Sequence, residues 1–146
     1  MNRIKPVKFA NRMVLKSGTA SVSLARSQVE EFLRSHELPG DFVFNMALVV
    51  SEAVANAVSH GSNSSESEVV LSIQIVENSF QILVEDFQGR EFDPEYFRRI
   101  AMVKDWGKGG RGIMMMETIM DNMSYIIEEG RHTLLFLEKA LPSSNS

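Results

Sequence analysis

One segment, Phe42–Gly61, constrains the fold of this chain more than any other. It reads FVFNMALVVSEAVANAVSHG. On a helical wheel of about 100° per residue, its apolar side chains share one broad face. The members of this face are Met46, Val49, Val50, Ala53, Val54, Ala57 and Val58. Because so wide an apolar face has to be buried, the segment predicts the core helix of a globular domain.

The same helix carries a polar stripe of unusual composition. Asn45, Glu52, Asn56 and Ser59 fall within about 60° on the wheel, and the stripe contains no Lys or Arg. A solvent-facing helix surface normally mixes charges of both signs, so this stripe is more typical of a cavity wall. Glu52 can accept a proton or hold a hydroxyl, and Asn56 one turn later can ligate a hard cation. An ordinary polar edge is the alternative interpretation.

Length and composition exclude several kinds of protein. The chain has 146 residues and no cysteine, so disulfides and thiolate chemistry are excluded. Only three His residues are present, which argues against a zinc site. A single domain is expected over residues 1–141, followed by a flexible polar tail over residues 142–146.

Charge and hydropathy restrict the partners and the compartment. The net charge is −4 and the basic residues are scattered, so no nucleic acid partner is expected. No run approaches about 18 consecutive apolar residues, and the start MNRIKPVKFANR lacks the apolar core of a signal peptide. We therefore predict a cytoplasmic protein with no membrane partner.

Local patterns predict an α+β domain. The first half of the chain is predicted to contain an edge strand within residues 1–20, a helix from Ser23 that ends before Pro39-Gly40, and the central helix capped by Asp41. A hairpin of Val69–Val76 and Phe80–Phe87 follows, and then a short helix through Ile100 with Asp93 as its cap. The last predicted elements are a loop Met102–Gly112, a helix Ile113–Met120 and a hairpin of Ser124–Ile127 and Thr133–Leu137. This order favours a two-layer sandwich, in which helices cover one face of a mostly antiparallel mixed sheet.

Two further stretches indicate ligand binding. Asp86 ends the second strand of the first hairpin, where a carboxylate can fix a ligand amino group; a turn-starting Asp is an equal alternative. Residues 107–112 read GKGGRG and come directly before a helix. Glycines allow close backbone approach and a helix N-terminus favours anions, so this stretch predicts phosphate binding, although a mobile connector has the same composition.

Together these motifs resemble the Bergerat-fold (GHKL) ATP-binding superfamily, which histidine kinases, gyrase-type ATPases and heat-shock chaperones share. SEAVANAVSHG at residues 51–61 resembles its N box, and VEDFQGREFDP at residues 84–94 resembles its first glycine box. GGRGIMMMETIMDNMSY at residues 109–125 resembles the second glycine box of the anti-sigma-factor serine kinase branch. The resemblance runs from about Phe42 to Leu137 and covers most of the chain.

The resemblance implies the Bergerat ATP-binding fold, ATP and Mg²⁺ as cofactors, and a role for each matching residue. Glu52 would be the catalytic carboxylate that orients or deprotonates a serine hydroxyl, and Asn56 would ligate the Mg²⁺ that bridges the ATP phosphates. Asp86 would receive the adenine amino group, with support from Thr133. The glycines of the phosphate lid would be Gly109, Gly110 and Gly112. In the first glycine box, Gly89 stands one position later than in the family pattern Asp-x-Gly-x-Gly, and the second glycine is missing.

The implied function is that of an anti-sigma factor with ATP-dependent serine kinase activity. Such a protein binds a sigma factor, phosphorylates an anti-sigma-factor antagonist and forms a homodimer. The altered first glycine box leaves an alternative, a partner-binding module without turnover that regulates by sequestration. A histidine-kinase catalytic domain is disfavoured because an N-terminal segment of about 20 residues is too short for a phosphoacceptor helix pair. An α+β domain without a nucleotide site is the remaining alternative.

Overall fold

The computed structural model describes residues 11–16, 19–61, 68–86, 108–128 and 132–143. The elements in these ranges are β1 Asn11–Lys16, α1 Thr19–Ser35, α2 Gly40–Gly61, β2 Glu68–Val76, β3 Ser79–Asp86, α3 Lys108–Ile119, β4 Asn122–Glu128 and β5 His132–Ala140. The predicted short helix that ends at Ile100, and Gly89 of the first glycine box, lie outside the described residues.

The five strands form one sheet in the order β1-β2-β3-β5-β4. Every strand pair in the described part of the chain is antiparallel. The sheet and the helices confirm the predicted α+β sandwich, and β1 lies at an edge as the sequence predicted. The last strand, β5, is inserted between β3 and β4, so the final hairpin joins the sheet through its second strand.

One face of the sheet supplies the core. Because side chains alternate along a strand, every second residue faces the helices. The buried members of this face include Leu71, Ile73, Phe80, Ile82, Val84, Leu135 and Leu137. The opposite face carries a polar row in which Gln74 Nε2 donates to Gln81 Oε1 (2.7 Å) and Gln81 Nε2 donates to Glu138 Oε2 (2.9 Å). The alternation therefore fixes which face of the sheet the helices cover.

Helix α2 is the central element of the core, as its apolar face predicted. The fully buried side chains of its apolar face are Met46, Val49, Val50, Ala53 and Val54. Ala57 and Val58 pack against the core and are partly buried. By length and composition alone, Gly40–Val58 could cross a membrane. In this fold α2 instead packs against α1, α3, β2 and β3, which accounts for its apolar character.

The junction between α1 and α2 differs from the sequence prediction. Glu37 has a φ of 61°, and the Leu38 N–H donates to the Leu33 carbonyl (3.3 Å), so a left-handed residue ends α1 before Pro39 is reached. The Val43 N–H donates to the Pro39 carbonyl (3.0 Å), and α2 begins at Gly40. Asp41 therefore lies within the first turn, where it complements the helix dipole, and is not the residue that precedes the helix.

The buried face of α1 differs from what side-chain hydrophobicity alone predicts. Leu24 is 49% exposed, whereas the smaller Ala25 is fully buried. Ala25, Val29 and Leu33 form a strict four-residue row that packs into the core. The small Ala25 permits a close helix approach, which a rule based on side-chain hydrophobicity overlooks.

The start of α3 is also a correction. The sequence predicted a loop through Gly112 and a helix from Ile113, but the helix begins at Lys108 and includes Gly109, Gly110 and Gly112. Each glycine disfavours a helix by about 1 kcal/mol relative to alanine, which is why propensity predicted a loop. Ile113 and Met116 are fully buried, and this packing holds the helix despite its glycine-rich first turns.

Candidate functional site

The candidate site lies on the polar stripe of α2. Glu52 is half-buried and Asn56, one turn later, is only 9% exposed. Asn45 lies on the open surface, and the side chain of Ser59 is outside the described residues. The stripe therefore passes from solvent into the protein, and its acid and amide stand where it becomes buried. The stripe is therefore not a uniformly exposed polar edge.

Burial changes the acid–base properties of Glu52. Because the surrounding protein disfavours the charged form, the pKa of the Glu52 carboxyl lies above the ordinary value for glutamate. A carboxylate with a raised pKa is a stronger base once it is ionised. Such a group is suited to accept the proton of a bound hydroxyl.

Asn56 carries a buried polar group that lacks a partner. Its Nδ2 atom is inaccessible to solvent and makes no hydrogen bond to any of the described residues. A buried unsatisfied donor typically costs about 1–3 kcal/mol and in a native fold calls for an explanation. Rotation of the amide exchanges its nitrogen and oxygen, so the same group can present an oxygen ligand to a hard cation. The unsatisfied amide fits the role of a Mg²⁺ ligand that the family resemblance implies.

The described residues do not form a complete metal site around such a cation. Within these ranges, no group of three or more His, Asp or Glu side chains could hold a metal ion. Mg²⁺ is commonly bound by one or two protein oxygens together with the phosphates of a substrate and water. Asn56 is consistent with that mode of binding.

The second feature of the site is the contact between Gly112 and Glu52. Gly112 is buried in α3, and a Cβ atom placed on it would overlap the carboxylate and Cγ of Glu52. The absence of a side chain at residue 112 therefore lets the backbone of α3 lie directly against the acid. The sequence analysis assigned both residues to one site but did not predict that they touch.

Backbone pairing brings together the two residues predicted to bind adenine. Asp86 is the last residue of β3, and its Cα partner on the neighbouring strand β5 is Thr133. The side chains of both residues lie outside the described ones, so the pairing concerns the backbone alone. Gly109 and Gly110 stand in the first turn of α3, as noted above.

A separate cleft of about 240 Å³ lies between β1, α1 and β2. Its lining residues are Asn11, Arg12, Met13, Gln28, Phe32, Leu71 and Ile73. None of the predicted site residues belongs to it. The candidate site is therefore defined by the packing of α2 and α3, and not by this cleft.

Among proteins of known function, the chain is similar to anti-sigma F factors. The anti-sigma F factor of Clostridium perfringens strain SM101 is 29% identical over 133 residues, which cover 89% of this chain and 95% of the relative. The anti-sigma F factor of Bacillus thuringiensis strain Al Hakam is 28% identical over 127 residues, covering 85% of this chain and 87% of the relative. The similarity thus extends over nearly the whole of both relatives.

Solved structures support the fold at low sequence identity. A chain of the SiaB-SiaC complex from Pseudomonas aeruginosa superposes with a TM-score of 0.70 at 9% identity, covering 89% of each chain. The Acinetobacter baumannii histidine kinase AdeS gives a TM-score of 0.50 at 12% identity, covering 94% of this chain and 70% of the kinase chain. Residues 15–138 match the sequence profile of the histidine kinase-like ATPase domain. This match covers every described element apart from the first residues of β1 and the last residues of β5. The chain therefore belongs to the histidine kinase-like ATPase domain family.

Proposed function

We propose that this protein is a cytoplasmic anti-sigma factor that phosphorylates a serine of an anti-sigma-factor antagonist with ATP. The observation that carries the proposal is the half-buried acid Glu52, one turn from the buried amide Asn56, with the Gly112 backbone against the acid. An acid can orient the attacking hydroxyl, an amide oxygen can ligate the cation, and a backbone without a side chain can approach the triphosphate closely. Phosphoryl transfer relies on this kind of positioning. The similarity to anti-sigma F factors supports the regulatory part of the proposal.

Each residue of the site has a defined task in this proposal. Bound Mg-ATP would supply the phosphoryl group and the cation that neutralises its charge. Asn56 would hold the cation through its amide oxygen, while Asp86 and Thr133 would hold the adenine. Glu52 would accept a hydrogen bond from the serine hydroxyl, orient its oxygen and take its proton. Partial burial keeps competing water from Glu52 and strengthens its interaction with the hydroxyl.

Protein partners follow from the same comparison. The proposed partners are a sigma factor, which the protein sequesters, and an antagonist, which it phosphorylates. The similar chain from Pseudomonas aeruginosa belongs to the SiaB-SiaC complex, which supports the use of this fold for protein binding. A homodimer is part of the proposal by resemblance to the anti-sigma-factor kinases.

The second candidate function is a partner-binding module without phosphoryl transfer. It is favoured by the sequence Asp86-Phe87-Gln88-Gly89, where the first glycine of the family box is displaced by one position. Isothermal titration with Mg-ATP separates the two candidates. Mg²⁺-dependent binding favours the kinase, and its absence favours the binding module.

The direct test of the kinase is a phosphorylation screen. The purified protein is incubated with Mg-ATP and each candidate antagonist from the same genome, and the antagonists are analysed by mass spectrometry for phosphoserine. We expect one antagonist to gain a single phosphate in a reaction that requires Mg²⁺. If the protein binds an antagonist and Mg-ATP but no phosphoserine forms, the binding module is the correct function.

We predict that Gly112→Ala impairs catalysis with little effect on stability. The added methyl group overlaps Glu52 and forces its side chain away, at a cost of about 1 kcal/mol. Alanine stabilises a helix by about 1 kcal/mol relative to glycine, so the two effects nearly cancel. Displacing the acid by about 1 Å should reduce phosphoryl transfer on the order of 100-fold. Thermal unfolding and the rate of phosphoserine formation measure the two effects.

Gly40→Ala is the matched control for this substitution. Gly40 is also a glycine within a helix, but a Cβ placed on it meets no atom within 4 Å. This variant should retain full activity and gain up to about 1 kcal/mol of stability. Equal activity in both variants would show that Gly112 does not position Glu52.

A further inference from the structure

Two exposed apolar side chains extend the site along α2, toward the start of the helix. Phe44 and Leu48 precede Glu52 at four-residue spacing, so Phe44, Leu48, Glu52 and Asn56 form one i,i+4 ridge. Exposure falls along this ridge from 66% at Phe44 to 40% at Leu48 and 9% at Asn56. The ridge therefore leads from open surface into the candidate site.

Within the described residues, the apolar part of this ridge, Phe44 and Leu48, stays exposed to solvent. Helix α2 packs on α1, α3, β2 and β3 through its opposite face. Of the large apolar side chains in the described residues, Phe44 is the most exposed. A single exposed apolar residue is ordinary, but two that adjoin on one ridge form the start of a contiguous patch of the kind that marks protein contacts.

Distance and charge indicate what this patch contacts. At about 1.5 Å of rise per residue, Leu48 and Phe44 stand about 6 and 12 Å along the axis from Glu52. A protein interface of standard size covers about 800 Å² on each partner and would reach from Glu52 to both side chains. The flanking Asp41 is exposed, and α2 contains no Lys or Arg. The complementary surface is therefore apolar with basic side chains beside it.

We propose that Phe44 and Leu48 dock the phosphoacceptor protein, so that an apolar, basic-flanked surface of that protein places its serine hydroxyl at Glu52. This inference rests on the proposed kinase function. A protein that delivers a hydroxyl to Glu52 has to cover the surface around it, and the ridge is the part of that surface that is apolar and continuous with the acid. Docking on Phe44 and Leu48 fixes the position of the acceptor protein along the axis of α2.

The test compares the double variant Phe44→Ala/Leu48→Ala with Val76→Ala, using the purified candidate antagonists as acceptors. Val76 is 40% exposed, as is Leu48, but it lies on β2, on the face of the sheet that is turned away from the helices. The double variant should raise the KM for the acceptor about tenfold or more, and leave kcat and the Kd for Mg-ATP within about twofold. Val76→Ala should leave all three constants unchanged.

Other outcomes separate the failure of this inference from the failure of the kinase. An unchanged acceptor KM in the double variant overturns the docking surface and leaves the kinase intact. If the wild-type protein phosphorylates no antagonist, the binding of the same antagonists is measured by titration. Binding by the wild-type protein that is lost in the double variant supports docking without turnover. Equal binding by the two proteins, or no binding by the wild-type protein, overturns the docking surface. A change in oligomeric state of the double variant, measured by light scattering, would assign the ridge to a contact between two copies and also overturn it.

Discussion

Glu52→Gln is expected to abolish phosphoryl transfer while leaving nucleotide binding in place. The amide keeps the shape of the side chain but cannot accept the hydroxyl proton. Removal of a positioned general base typically lowers a rate by about 10²–10⁴-fold. The rate of phosphoserine formation on the antagonist measures the loss, and titration with Mg-ATP should give a Kd close to that of the wild-type protein.

The pH dependence of stability provides an independent check on Glu52. Burial raises its pKa in the folded state, so the native protein holds the proton more tightly than the unfolded chain does. The wild-type protein therefore loses stability as the pH rises from the ordinary glutamate pKa of about 4.3 through the raised value in the fold. Glu52→Gln has no such ionisation, so its stability relative to wild type should increase across this window and then remain constant. Parallel stability curves for the two proteins would contradict the burial of the acid.

Asn56→Ala is expected to remove Mg²⁺-dependent nucleotide binding without destabilising the protein. Loss of a residue that supports a metal ligand commonly lowers metal affinity by about 10–100-fold. Loss of a direct ligand should lower the affinity by at least about 100-fold. The substitution also removes a buried Nδ2 that has no hydrogen-bond partner in the described part of the chain. The stability of the nucleotide-free variant should therefore be within about 1 kcal/mol of wild type or slightly higher.

Thermal unfolding with and without Mg-ATP tests both parts of this prediction. At a concentration of about 100 times the Kd, the ligand should stabilise the wild-type protein by about 2.7 kcal/mol, which corresponds to about 5–10 °C. The variant should show no shift. A variant that unfolds at a much lower temperature without nucleotide would show that Asn56 has a structural role and does not serve as a ligand.

The helical pattern of Phe42–Gly61 was sufficient to predict the core helix and to place Glu52 and Asn56 one turn apart on it. Burial of Met46 and Val54, together with partial burial of Glu52, follows from the angular separation of apolar and polar residues on one helix. This part succeeded because periodicity is a local property. The same pattern could have identified Phe44 and Leu48 as members of the ridge, but a wheel sorts them as ordinary apolar residues and does not indicate that they are exposed.

Helix boundaries were predicted less well because packing outweighs local preference. Three glycines favoured a loop before Ile113, yet burial of Ile113 and Met116 extends α3 back to Lys108. Likewise, Glu37 ends α1 in a left-handed conformation that its residue type does not favour. At α3, contacts with residues distant in the chain outweigh a local cost of about 1 kcal/mol for each glycine, whereas at Glu37 the hydrogen bond from the Leu38 N–H to the Leu33 carbonyl closes the end of the helix.

Local sequence patterns were enough to predict the α+β class, the core helix and the one-turn spacing of the acid and the amide, since these depend on residue spacings within segments and on the order of the segments. The pairing of β5 with β3, which sets Asp86 opposite Thr133 although they are 47 positions apart in the sequence, was decided only by the tertiary structure. The tertiary structure also brought Gly112 against Glu52 and, within the described residues, left Phe44 and Leu48 exposed. Strand order and helix packing are decided by which buried surfaces fit together, and that is a property of distant segments that no local pattern encodes.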